Sequence, residues 1–315
     1  MKKLKIGIVG LGSIGTRHLK NLTAVLDERN IHYEMDAIRS NRGKPLSSEV
    51  TALIKRCITV EEAVKESYDI LFITNPTSMH FETLQKFSEN SKAFFMEKPV
   101  FDTWDVDLDG LQLEKDKIIY IACPLRYTTV IDYLKKNINL KKVFSVRIIS
   151  SSYLPEWRPG IDYRHTYSAQ KELGGGVSID LIHEWDYLYY LFGEPEEVCS
   201  FKGKYSDLEI NSDDLAVSMA RYPDKIVELH LDYFGRSPIR EIQLFTADDI
   251  IIGDLINQEV SFMKSQKTIH FDEQRNDYQQ KEIETFLDIF EGKAENPNDL
   301  HTALKVLKLA KENSR

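Results

Sequence analysis

The sequence predicts an α/β protein in two parts: a doubly wound parallel sheet clothed in helices, then an α+β part with an open, mostly antiparallel sheet. Three observations carry this expectation. Up to about residue 123, short apolar runs alternate with amphipathic helical periods, as parallel strands with crossover helices require. Beyond about residue 140, strand follows strand across short turns. The 315 residues are also long enough for two domains, and the expected division is 1–123 and 124–315 with the C-terminal helix packing back on the first domain.

Taken in order, 4–9 is a short buried strand, and 13–26 a helix with Ile14, Leu19, Leu22, Val25 and Leu26 on one face. A strand follows at 33–39. Thr59-Val60-Glu61-Glu62 has the form of a capping box and opens a helix. Residues 69–74 form a strand, 77–90 a helix, 92–96 a strand, 103–115 a helix and 118–122 a strand. In the second part, strands are expected at 143–152, 196–206, 213–222, 225–234, 239–247 and 258–271. Turn residues Pro223-Asp224 and Ala247-Asp248-Asp249 separate some of them. Helices are expected at 175–192, 278–291 and 299–313.

Composition narrows the function. Hydrophobic residues at 42% and charged residues at 29% are ordinary globular values. A net charge of −9 repels phosphate, so neither nucleic acid nor an anionic membrane is an expected partner, and an anionic substrate needs a local basic pocket. Cys57, Cys123 and Cys199 are scattered and form no C-x-x-C, which argues against disulfides and a structural metal and fits a reducing cytoplasm. The basic start, Met1-Lys2-Lys3-Leu4-Lys5, leads into a stretch broken by Gly7, Gly10, Gly12 and Gly15, so no secretory h-region is expected. No run nears the roughly 20 apolar residues of a membrane span. A cytoplasmic protein is the expectation.

Gly10-Leu11-Gly12-Ser13-Ile14-Gly15 is G-x-G-x-x-G, placed directly after a strand and at the opening of a helix. In that setting Gly10 permits the tight turn, Gly12 lets the backbone approach a pyrophosphate, and Gly15 allows helix to pack on strand. The helix N-terminus then faces the phosphates. NAD usually calls for a carboxylate at the tip of the second strand. Here Asp36 lies inside the strand, and the tip carries Arg39, Ser40 and Arg42. Hydroxyl and guanidinium groups bind a 2′-phosphate that a carboxylate would repel, so NADP(H) is favoured, with NAD(H) the alternative. Solvated surface charge is the competing reading of the two arginines.

Four features in order resemble the glucose–fructose oxidoreductase / inositol dehydrogenase / MocA family. They are the glycine fingerprint; Thr74-Asn75-Pro76 with His80 beyond; Glu97-Lys98-Pro99; and Gly174-Gly175-Gly176 leading to Asp180 and His183. The helix carrying Leu300, Leu304 and Leu307 is also family-like. The resemblance spans essentially the whole chain. It implies a Rossmann domain, an open-faced sheet domain, and NAD(P)-dependent oxidation or reduction of sugars and related compounds.

Pro99 restricts Lys98 to an extended backbone at a strand end, where the nicotinamide is expected in a doubly wound sheet. Hydride transfer between carbinol and carbonyl needs a proton moved at that oxygen, and a lysine ammonium can supply it. By resemblance, Glu97 orients the neighbouring backbone and the cofactor, Asn75-Pro76 borders the nicotinamide ribose, and His80 either contacts the cofactor or packs. Arg126-Tyr127 resembles the family's N-x-R-[FY] site, although Cys123-Pro124 stands where an asparagine is usual. Asp180 and His183 are three apart and so share one helical face, Asp180 to anchor a sugar hydroxyl and His183 to accept its proton. Family members commonly have D-x-x-x-H there, one residue longer, which leaves the proton-transfer group open between Lys98 and His183.

The segment 153–167 is dense in aromatics and arginine. Trp157 and Tyr163 offer faces for a sugar ring, and Arg158 and Arg164 offer forks for a carboxylate or phosphate. By resemblance to members from surface-glycan pathways, an acidic or nucleotide-linked sugar is the expected substrate; packing of the loop against a neighbour is the alternative. Tyr278, Glu282, Phe286 and Phe290 read as a core-facing seam. The open sheet leads us to expect a homodimer or homotetramer. Rival functional readings are a noncatalytic dinucleotide-binding regulator on the same fold and an imine or enamine reductase.

Overall fold

The computed structural model describes residues 3–40, 45–111, 113–114 and 116–312. The chain divides into two compact units, residues 1–122 with 275–304, and residues 123–274 with 305–315.

In the first unit, β1 (Leu4–Val9) runs through a glycine turn into α1 (Ser13–Glu28), then β2 (Tyr33–Ile38), α2 (Ser48–Ala52), β3 (Arg56–Ile58) and α3 (Val60–Ala63). β4 (Tyr68–Ile73), α4 (His80–Phe87), β5 (Ser91–Met96) and β6 (Ile118–Ile121) follow. The sheet order is β3-β2-β1-β4-β5-β6 and every pairing is parallel. The order reverses between β1 and β4, which opens a crevice at their carboxyl ends where such sheets bind ligands. β4 is buried at all six positions because helices cover both faces.

The expected capping box at Thr59 is present in both directions, Thr59 Oγ1 accepting from the Glu62 N–H and Glu62 returning the bond. In place of the helix expected at 103–115, the described residues hold only a single 3-10 turn, Asp109–Leu111. There the Asp107 carboxylate accepts the N–H groups of Asp109 and Gly110 and folds the segment into a turn. α2 and β3 were not expected, being too short for periodicity to reveal.

The second unit opens with α5 (Thr129–Asn137) and β7 (Val143–Tyr153), followed by α6 (Val177–Asp180) and α7 (Ile182–Phe192). Seven strands then run in series: β8 (Glu197–Gly203), β9 (Leu215–Arg221), β10 (Ile226–Asp232), β11 (Phe234–Thr246), β12 (Ile250–Asp254), β13 (Glu259–Phe262) and β14 (Lys267–His270). The sheet order is β14-β13-β12-β11-β7-β10-β9-β8, antiparallel throughout except for β10 on β7. β12 was missed, and the single strand expected at 258–271 is a hairpin. The Asp249 carboxylate binds the N–H groups of Lys264 and Ser265 and fixes the turn between its arms.

Strand residues alternate in this sheet. Val146, Ile148, Val227, Leu229, Ile242 and Leu244 are buried, while Phe201, Met219, Ile226 and Ile250 are exposed. Two helices end the chain. α8 (Arg275–Phe290) packs on α1 and β6 in the first unit, and α9 (Leu300–Lys311) is divided between the two units. The seam expected on α8 is a core contact: Phe286 is fully buried against Phe72, Phe95 and Tyr120, and the Tyr120 hydroxyl donates to buried Glu282.

Candidate active site

The glycine turn between β1 and α1 has three glycines with three different environments. Gly10 has φ +87°, and a Cβ there would stand 2.9 Å from the backbone of Asn75. A Cβ on Gly15 would lie 2.1 Å from the Gly10 carbonyl oxygen and 2.5 Å from Thr74 Oγ1. Gly12 alone has nothing within 4 Å of an added Cβ. The first two glycines serve the fold, whereas the third leaves room that the protein does not fill. Ser13 and Ile14 open α1, which has neither a side-chain cap nor an acidic residue in its first turn. Its leading N–H groups and dipole therefore suit an anion. Thr74, at the end of β4, ties the turn down by donating its hydroxyl to the carbonyls of Val9 and Gly10.

Beside this turn, Asn75 donates to Thr83 Oγ1, while its buried Oδ1 has no hydrogen-bond partner among the described residues. Pro76 precedes the short turn that leads into α4. His80 is buried, with Nε2 facing the Asn75 carbonyl and Nδ1 facing those of Pro99 and Val100. Burial pushes the imidazole below its ordinary value although the carbonyls favour the charged form. Of its two expected roles, the packing one is visible: His80 ties the Asn75 tip to the segment after Lys98.

Glu97 and Lys98 follow β5, and the Lys98–Pro99 peptide is cis. Glu97 Oε2 accepts the Lys98 N–H at 3.1 Å, and Oε1 lies 2.5 Å from His18 Nε2. Burial works to raise the Glu97 carboxyl, but the His18 hydrogen bond and the charges of His18, Lys98 and His80 outweigh it and hold the group below its usual range.

Inside β2, Asp36 is buried and hydrogen-bonded. Arg56 grips it with two bonds of 2.9 Å, and the Tyr68 hydroxyl donates to it at 3.2 Å. Arg39 and exposed Ser40 follow. Arg42 lies outside the described residues.

In the second unit, Asp180 ends α6 and His183 is the second residue of α7. Leu181, at φ −98° and ψ 31°, breaks the helix between them. The single helical face expected for the pair is therefore not what positions them. Of the three glycines before them, Gly174 has nothing within 4 Å of an added Cβ, whereas the other two are packed against the chain. A Cβ on Gly175 would strike the Tyr167 carbonyl oxygen at 1.9 Å, and one on Gly176 the Asp213 carboxylate at 2.2 Å, so the close approach is to the chain itself. Asp180 is buried and receives the Tyr233 hydroxyl at 2.5 Å and that of Tyr167. Burial and this carboxylate push both tyrosines above their ordinary range.

The aromatic loop surrounds this cluster. Trp157 donates its indole N–H to Ser152 Oγ and meets Tyr233 edge-on at 5.2 Å. Arg158 lies 5.3 Å from the Tyr167 ring centre. Three expectations need correction. Arg164 is held by Asp162 and Glu209 rather than left to meet an anion. The Tyr163 hydroxyl accepts the Glu209 N–H, which builds the loop. Arg126, expected at the cofactor, is buried with its fork on Asp186 at 2.7 and 2.8 Å. A residue not expected, Arg236, stands 3.7 Å over the Tyr153 ring, and among the described residues neither it nor Arg158 is paired with a carboxylate.

The strand order, the glycine turn and the uncapped α1 define the first unit as a Rossmann-type dinucleotide-binding fold. A family model described as "Oxidoreductase family, NAD-binding Rossmann fold" matches residues 4–117, and the GFO/IDH/MocA C-terminal domain matches residues 134–243. The chain belongs to the Gfo/Idh/MocA oxidoreductase family.

Among curated relatives, a myo-inositol 2-dehydrogenase from Thermotoga maritima is 28% identical over 237 residues, covering 70% of this chain and 65% of that protein. The chain's matches span between half and two thirds of the length of such relatives. Among solved structures, the UDP-N-acetylglucosamine 3-dehydrogenase of Acidithiobacillus ferrooxidans has a TM-score of 0.77 at 20% identity, over 98% of this chain and 96% of that one. A Bordetella pertussis dehydrogenase in complex with NADH and UDP-GlcNAcA has a TM-score of 0.78 at 15% identity, over 98% and 94%. Among the described residues, no helix is long and apolar enough to cross a membrane.

Proposed function

We propose that this chain is an NAD(P)-dependent dehydrogenase or reductase acting on a CH–OH group of a sugar, a sugar acid or a nucleotide sugar. The observation that carries the reading is the open space over Gly12 at the uncapped start of α1, which a pyrophosphate would fill. The bound nicotinamide would give or take the hydride. Gly12, Ser13 and the first α1 amides would hold the phosphates. Asn75 Oδ1, buried and without a partner among the described residues, is suited to receive a donor from the cofactor. Lys98 would move the proton at the reacting oxygen, with Glu97 fixing its backbone. In the second unit, Asp180 would bind a substrate hydroxyl and His183 would serve as a second proton-transfer group.

NADP(H) is favoured over NAD(H), because Asp36 is consumed by Arg56 and Tyr68 and the strand tip offers Arg39 and Ser40 instead of a carboxylate. Titration with NADPH and NADH tests this; equal dissociation constants would remove the preference. Arg158 and Arg236, each on an aromatic face, support an anionic substrate. The exposed Phe201, Met219, Ile226 and Ile250 support assembly with a second copy through the open sheet. Sedimentation of Met219→Glu as a smaller species than wild type is the expected outcome.

The decisive experiment is a turnover screen of nucleotide sugars and free sugar acids with each nicotinamide cofactor, run beside Lys98→Met. Loss of turnover in the variant with cofactor binding retained supports the reading. A wild type that binds cofactor but turns over none of these compounds overturns it.

A further inference from the structure

We propose that His18 is a positioning residue for Lys98, acting through Glu97. The inference rests on the reading of Lys98 as the proton-transfer residue, and its test separates the two.

His18 lies on the buried face of α1, with 1% of its surface exposed and its ring 5.0 Å from Phe95 and 6.0 Å from Phe72. A polar ring in such a place costs stability unless a hydrogen bond compensates it. Among the described residues its one polar partner is Glu97 Oε1 at 2.5 Å, and buried Nδ1 has none. Glu97 is held in its ionised form and can only accept, so Nε2 carries the hydrogen and donates. That bond fixes the plane of the carboxylate. The other oxygen, Oε2, is thereby aimed at the Lys98 N–H. Pro99 has no N–H, so the Lys98 amide is the donor nearest the segment's bend, and restraining it restrains the stem of the lysine side chain.

A histidine kept only for packing would be replaceable by a ring of similar size. His18→Phe keeps the contacts with Phe72 and Phe95 but removes the donor, whereas His18→Gln restores an N–H at comparable reach. With Lys98 loosened by a fraction of an ångström, kcat is expected to fall about 10- to 100-fold in His18→Phe. Cofactor affinity, set at the glycine turn, should stay within about threefold, and His18→Gln should recover most of the rate.

The Lys98 amide gives a readout independent of turnover. In protein labelled with 15N-lysine and assigned through Lys98→Arg, the bond to the carboxylate should place that signal downfield and slow its hydrogen exchange. The signal should move upfield and exchange faster in His18→Phe, and return in His18→Gln. A folded His18→Phe with the wild-type Lys98 amide signal overturns the proposal whether or not a substrate has been found. A shifted signal with wild-type kcat also overturns it. If no sugar is turned over by the wild type, the function reading fails, and the amide signal alone decides the positioning of Lys98.

Discussion

Replacing Gly12 with alanine should separate dinucleotide binding from folding. At φ −78° an alanine is sterically allowed, and its Cβ would meet nothing within 4 Å. Two small effects on stability oppose each other. The unfolded chain loses freedom, which stabilises by about 0.4–1 kcal/mol, and alanine is a poorer N-cap than glycine by about 0.5–1 kcal/mol. The net change should stay within about 1 kcal/mol, or about 4 °C in Tm.

Binding should respond very differently. A methyl group in the phosphate space displaces at least one charge-assisted hydrogen bond, a loss of about 1.5–3 kcal/mol, which is about 10- to 100-fold in Kd. Fluorescence titration with NADPH measures the affinity, and a thermal melt without cofactor measures the fold. Gly15→Ala is the contrasting case. Its Cβ would stand 2.1 Å from the Gly10 carbonyl oxygen, so that variant should lose stability first. A Gly12→Ala protein that binds NADPH as wild type does would refute the reasoning, as would one that melts well below it.

Three further outcomes are expected. Phe286→Ala removes a fully buried ring from the contact of α8 with Phe72, Phe95 and Tyr120, and should lower stability by about 3–5 kcal/mol in urea unfolding; less than about 1.5 would show that the seam collapses to fill the space. Arg158→Ala and Arg236→Ala should each raise KM for an anionic sugar substrate, while Arg164→Ala, whose partners are Asp162 and Glu209, should leave KM unchanged; the reverse pattern would return Arg164 to the substrate. Lys202 caps the end of α9 by donating to the carbonyls of Ala310 and Glu312, and burial lowers its ammonium to about 8 from 10.5. Between these values the unfolded chain holds the proton and the folded chain does not, so stability should gain with rising pH relative to Lys202→Met; unfolding curves at pH 7 to 10 with a constant gap between the two proteins would contradict this.

Much of the cofactor end was legible because its signals are local. A glycine turn between strand and helix, and a Lys-Pro at a strand end, are each written in a few consecutive residues. Even the exclusion of Asp36 could be reasoned from its depth in β2, although its partners Arg56 and Tyr68 could not. The His18–Glu97 bond was invisible because it joins residues 79 apart. A buried histidine beside Leu19 on the helix face was the available hint. Arg164 misled because one of its partners, Glu209, is remote in sequence, and an arginine in an aromatic loop looks the same whether or not it is neutralised. The break at Leu181 was hidden for another reason. The run 177–192 is apolar enough to continue as one helix, and only the backbone conformation at that residue divides it.

The ion pair between Asp36 and Arg56 has a consequence for any redesign of the proposed coenzyme preference. Replacing Asp36 would strip a buried charge from the strand next to the sheet edge and strand the Arg56 guanidinium. The preference should instead be retuned at exposed Ser40, which follows the strand and takes no part in that ion pair.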